Sequence, residues 1–274
     1  MSIFDLFKKK TVETEKPNDM AENETPQPTT TEAPIEEVSE KQDSPEVNSE
    51  EITPTAPPND KRRVHNLLIL DESGSMQSIY QPALTGVNET LQTIREAQKE
   101  HLEQEHFVSL IAFDSNHYNQ IYKNTPADKA EDITREQYRP GGCTPLFDAM
   151  GRAITNLRNY ANKNDVVLVT IITDGYENAS HEYDGRAIKA LVEEMKSHDW
   201  VFTYIGANQD VVAVANSMAI DNHLCFEATD RGASDMFEKE MRCRKKFFSK
   251  ISPNEKMADF CYFEEDDEDL NEEK

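Results

Sequence analysis

The stretch VHNLLILDESGSM, residues 64–76, joins two segments of opposite character. VHNLLIL (64–70) is an apolar run of strand length. DESGSM (71–76) supplies two acids, two serines and a glycine. Carboxylates and hydroxyls at the end of a core strand are costly unless something uses their oxygens. The rest of the chain has to say what does.

Working outward, apolar runs alternate with longer amphipathic segments from Val64 onward. The strand expectations are 64–70, FVSLIAF (107–113), a weaker NQIYK (119–123), VVLVTII (166–172), VFTYIG (201–206) and HLCFE (223–227). Between them, helical spacing covers Gln81 to Glu103, Pro145 to Asn162, Gly185 to Ser197, Val211 to Met218 and Ala233 to Ser249. Pro145 suits the first turn of its helix. This alternation predicts an α/β fold, a Rossmann-like, mostly parallel central sheet with helices on both faces. A hairpin reading of 107–123 adds one antiparallel edge strand. The expected domain runs from 63 to 251.

In such a sheet, ligands bind beyond the carboxyl ends of the strands, near a change in strand order. Three segments fall in that kind of place: DESGSM after strand 64–70, GGCTPLFDAM (141–150) running into a helix, and TDGYEN (173–178) after strand 166–172. They carry Asp71, Ser73, Ser75, Thr144 and Asp174. Alternate residues of an extended stretch share a side, so Asp71, Ser73 and Ser75 are expected to converge. Gly74 lets the backbone turn between them. Carboxylates and hydroxyls without His or Cys select a hard divalent ion, Mg²⁺ first, with Mn²⁺ or Ca²⁺ also compatible.

DESGSM, GGCTPL and TDG together resemble the three parts of the metal-ion-dependent adhesion site of the von Willebrand factor type A family. The resemblance covers roughly 63 to 228 and implies Asp71, Ser73, Ser75, Thr144 and Asp174 as a complete ligand set around one cation. Cys143 departs from it, because a smaller residue is expected before the threonine. The resemblance implies a non-enzymatic module that binds an Asp or Glu of a protein partner on the metal, as an intracellular adaptor or assembly factor. It also implies a last helix, here 233–249, that shifts between states.

Composition narrows the partners. The formal net charge is −24, with 53 Asp+Glu against 29 Lys+Arg, and no basic stripe stands out, so nucleic acid is not expected. Cys143, Cys225, Cys243 and Cys261 form no close pair, which fits a reducing compartment. No run approaches the ~18 apolar residues of a membrane span, and MSIFDLFKKK has the wrong order of charge for a secretory signal. A cytoplasmic location is the expectation. Residues 1–62 are rich in Pro, Thr and Glu and read as a disordered tail behind a short amphipathic start. Residues 252–274 read as an acidic, solvated C-terminal tail whose carboxylates are candidates for occupying the metal in cis or in a neighbouring copy.

Rival chemistry has less behind it. Ser73 or Ser75 as a nucleophile needs a base, for which His181 is the nearest histidine in sequence, and the spacing G-x-S-x-G is absent. A phosphate-accepting Asp71 would want a second acid where Ser73 stands. A metal-dependent hydrolase or phosphatase on the same ion is the competing class. Among neighbours, Tyr176 and Glu177 are candidates for the rim, Glu72 is expected to face away, and Asp148 to support the loop carrying Thr144.

Overall fold

The computed structural model describes residues 61–207, 210–252 and 255–264. The chain divides into two units, Met1–Thr55 and Ala56–Lys274, and every described residue belongs to the second. The expectations for 1–60 and for the tail beyond 264 lie outside the described residues.

Among the described residues six strands form one sheet: β1 Arg62–Asp71, β2 Gln104–Phe113, β3 Tyr118–Pro126, β4 Val166–Thr173, β5 Trp200–Ala207 and β6 Asn222–Phe226. Their order is β3-β2-β1-β4-β5-β6. Only β3 runs antiparallel, on the edge against β2. The order reverses between β1 and β4, which makes their carboxyl ends the switch point of the sheet. It is covered, among the described residues, by α1 Tyr80–Glu100, α2 Leu146–Arg158, α3 Gly185–Lys196, α4 Val211–Ser217 and α5 Asp230–Lys250.

The period-2 alternation of β1 decides what lies on each face. Leu68 and Leu70 join the core under α1 and α5, with Val108, Leu110, Ile205, Phe237 and Phe247. Leu67 and Ile69 join the core under α2, α3 and α4, with Ile111, Ile154, Val169 and Ile188. Among the described residues no helix is long and apolar enough to cross a membrane.

One polar network interrupts the α5 face. The Arg244 guanidinium and the Glu240 carboxylate are fully buried and paired at 2.6 Å. Arg244 also donates to Asn66 Oδ1 on β1 at 3.1 Å and to Thr170 Oγ1 on β4 at 2.8 Å. Tyr262 donates to Glu240 from beyond the helix at 3.0 Å. The packed body therefore runs past residue 251, where the sequence reading ended it. Met257 and Tyr262 are buried, and Phe260 stacks edge-on against Phe247. The acidic composition after 263 hid these apolar anchors just before it.

Removing one partner of a buried pair strands the other charge. Glu240→Ala should cost about 3–5 kcal/mol in urea denaturation, and Glu240→Leu with Arg244→Met should cost less than the single change. A single change costing under about 1 kcal/mol, the range of an exposed pair, would contradict this account of the network.

Candidate functional site

Asp71 is the last residue of β1, and Asp174 follows Thr173, the last residue of β4, so the two acids flank the switch point. Asp71 is 0% exposed and Asp174 4% exposed. Asp71 accepts from the Ser73 N–H at 2.7 Å and from the Thr173 hydroxyl at 2.6 Å. Asp174 accepts from the Ser75 hydroxyl at 2.5 Å, and the Ser73 and Ser75 hydroxyl oxygens are 3.1 Å apart. A methyl group on Gly175 would lie 3.3 Å from Thr144 Oγ1 and 3.4 Å from Ser75 Oγ, so Thr144 closes the same cluster. The structure thus brings together all five residues singled out from the sequence.

It does so by a different local route. Ser73 is extended, with φ −69 and ψ 165, but Gly74–Ile79 is a 3-10 turn leading into α1. Ser75 reaches the cluster from that 3-10 turn, not by strand alternation. The Thr144 loop is laced to the first segment by backbone. The Gly141 N–H donates to the Glu72 carbonyl at 2.8 Å, and the Gly74 N–H to the Gly142 carbonyl at 3.1 Å. The Arg139 N–H donates to the Glu72 carboxylate. Gly142 has φ +65, and a Cβ there would press on Ser115 Oγ at 2.6 Å, so glycine is required.

Neighbouring residues divide into supports and rim. Asn178 clasps Thr144 with a reciprocal pair, Thr144 N–H to Asn178 Oδ1 at 2.9 Å and Asn178 N–H to the Thr144 carbonyl at 3.1 Å. Tyr138, fully buried, donates to the Asp71 carbonyl at 3.0 Å. Sequence reasoning missed both. For Asn178 a signal existed, a carboxamide four residues past Asp174. Asp148 does not hold the Thr144 loop as expected; it accepts the backbone N–H groups of His181, Glu182 and Tyr183. Glu177 is no rim residue either. Its carboxylate accepts from Phe147, Ala179 and Ser180 N–H, fixing the start of α2. Tyr176 is on the rim, 55% exposed. Cys143 is exposed next to Thr144.

Burial dominates the electrostatics. It pushes the Asp71 carboxyl up to about 6, against the lowering donors Thr173 and Ser73, and the Asp174 charge adds to the rise. Asp174 is raised for the same first reason, with Ser75 opposing. Among the described residues no Lys, Arg or His pairs with either acid. Nor does any group of three or more His, Cys, Asp or Glu there suit a metal. This cluster has only two carboxylates, and its other donors are hydroxyls. Two buried carboxylates and three hydroxyls are a hard-oxygen set that fits Mg²⁺ in chemistry and charge.

The raised Asp71 pKa has a consequence for stability. With the proton held more tightly in the fold than in the unfolded chain, this group's contribution is full below about pH 4 and is lost as pH rises through about 6. In EDTA, Asp71→Asn should therefore gain on wild type between about pH 4 and pH 7, by about 2 kcal/mol, a difference that cancels the other acids. Urea denaturation at both pH values checks it; a variant that loses ground on wild type over that range would refute it.

The family model of the von Willebrand factor type A domain matches residues 67–239. No curated protein matches the chain. Among solved structures, a von Willebrand factor type A protein from Catenulispora acidiphila is 12% identical, with a TM-score of 0.48, covering 68% of this chain and 43% of its own. The vWF domain of the type V pili tip protein Mfa5 from Porphyromonas gingivalis is 9% identical, with a TM-score of 0.48, covering 70% of this chain and 98% of its own. The pilus adhesin SpaC from Lactobacillus rhamnosus GG is 14% identical, with a TM-score of 0.48, covering 68% of this chain and 30% of its own. This chain thus spans less than half of the first and third. On the matched segment and the sheet that carries it, the chain belongs to the von Willebrand factor type A domain family.

Proposed function

We propose that Asp71, Ser73, Ser75, Thr144 and Asp174 hold one divalent cation, Mg²⁺ first, and that the domain is a non-enzymatic module binding a protein partner through an Asp or Glu. The observation that carries this reading is the pair of buried carboxylates at the switch point, ringed by hydroxyls and lacking any cationic side chain among the described residues. Such a pair is costly as two anions and is relieved by a divalent charge. Bound there, the ion supplies an electrophilic face that accepts a carboxylate oxygen.

The chain's own residues do the positioning. Thr173 and the Ser73 N–H fix the two oxygens of Asp71, Ser75 fixes one oxygen of Asp174, and Asn178 sets the Thr144 backbone. Two carboxylates just balance a divalent ion, so the site is left receptive to one more acid from outside. Tyr176 and Cys143 stand exposed beside it, where a partner's flanking residues would lie. A serine nucleophile has less support: the Ser75 hydroxyl is committed to Asp174, and no histidine hydrogen-bonds either serine among the described residues.

Calorimetry with MgCl₂ tests the metal reading directly. Wild type should bind one ion, Thr144→Ala should weaken it at least about tenfold, and Asp71→Ala should abolish it. At saturation of about 100 times Kd, Mg²⁺ should stabilise wild type by about 2.7 kcal/mol and leave Asp71→Ala unchanged. Equal Mg²⁺ binding by all three proteins would end the proposal. EDTA-sensitive turnover of ester or phosphate substrates, lost in Asp71→Ala, would move the site to the hydrolase class.

A further inference from the structure

The whole-chain charge of −24 conceals a concentrated basic segment. Within residues 239–250, six of twelve are Lys or Arg, against one acid, Glu240. Arg244 and Glu240 face inward and neutralise one another. The outer face of the C-terminal half of α5 is left with Arg242, Lys245, Lys246 and Lys250. Arg242 pairs with Glu238 at 2.9 Å and Lys245 with Glu96 of α1 at 3.6 Å. All four of these side chains are more than a third exposed, and such pairs are weakly held. The sequence reading, working from total charge, saw no basic stripe; the fold assembles one on a helix face.

The described chain returns to that same face. After α5 it packs Met257, Phe260 and Tyr262 against the domain, and Lys246 Nζ then donates to the Glu264 carbonyl at 3.0 Å. Seven of the next ten residues, 265–274, are acidic. The residue just before that acidic run, Glu264, thus touches the basic face through Lys246.

We infer that residues 265–274 dock in cis on the basic outer face of α5. The occupant is argued from where the described chain ends, from the complementary charge, and from reach. The axis of α5 runs between the two poles of the sheet. It starts shortly after the carboxyl end of β6, and the Ser252 carbonyl just beyond it bonds Arg62, the first residue of β1. Its 21 residues span about 30 Å, so Lys246 sits about 24 Å from the level where α5 begins. Ten residues reach at most about 33–36 Å when fully straight. The α5 face lies within reach of every tail carboxylate. The cluster at Asp71 and Asp174, at the far pole, lies within reach only of the last few. Docking on α5 is therefore favoured over occupancy of the metal by the tail, and it does not depend on a metal being bound.

The test uses the full chain with Cys143, Cys225 and Cys261 changed to Ser and a nitroxide attached at Lys274→Cys. In a dilute sample at low salt, amide signals of 242–250 should be several-fold weaker with the oxidised label than with the reduced one, in EDTA and in Mg²⁺ alike. The loss should disappear in Arg242→Gln/Lys245→Gln/Lys250→Gln. It should also disappear in wild-type α5 at about 1 M NaCl, where the screening length is about 3 Å. Broadening centred on 71–76 and 174–178, no broadening on α5, or broadening seen only when the label sits on a separate copy would each overturn the inference.

Discussion

Two carboxylates buried side by side, with no cationic side chain paired to them among the described residues, are the constraint on which the rest of the site depends. Asp71 and Asp174 stand at the ends of neighbouring parallel strands because the strand order reverses between β1 and β4. Parallel strands deliver their carboxyl ends to one side, so the fold alone makes these two residues neighbours. Their burial then demands donors. Thr173, Ser75 and the Ser73 N–H meet part of that demand. The remainder is what a small divalent ion would satisfy, which ties the polar loops, the sheet topology and the proposed function to a single electrostatic fact.

The other acids around the site show why only these two face inward. Glu72, Asp148 and Glu177 each accept backbone N–H groups of adjoining loops, and Asp114 accepts those of Asn116 and His117. These carboxylates act as internal caps that hold the adjoining loops in register. A domain so rich in acid can in this way present a small, defined set of oxygens to a cation while its remaining local acids are engaged in shape. The loops stay fixed because each is bonded to the next: 139–142 to 72–74, and 144 to 178.

Much of this was legible in the sequence, for identifiable reasons. Apolar runs such as 64–70 and 166–172 are long enough to declare buried strands, and turn residues separate them from helices of clear spacing. That Asp71, Ser73, Ser75, Thr144 and Asp174 would come together was legible because their three segments fall at strand or helix ends on one side of a parallel sheet. What failed were matters of direction. Ser75 sits in a 3-10 turn that no alternation rule anticipates, and Asp148 and Glu177 choose backbone partners that only loop geometry selects. Tyr138 gave no signal at all, its role resting on a 3.0 Å bond to a carbonyl 67 residues away. The C-terminal segment was misjudged because composition averaged the anchors Met257 and Tyr262 together with the acids that follow.

The most direct measurement is a crystal structure of the protein grown with Mn²⁺, read by its anomalous difference map. The account predicts one peak at the switch point, bound directly or through a single water by Asp71, Ser73, Ser75, Thr144 and Asp174, with a coordination position open toward Tyr176 and Cys143. A map without that peak, with the Asp71 and Asp174 carboxylates still packed against hydroxyls alone, would contradict it.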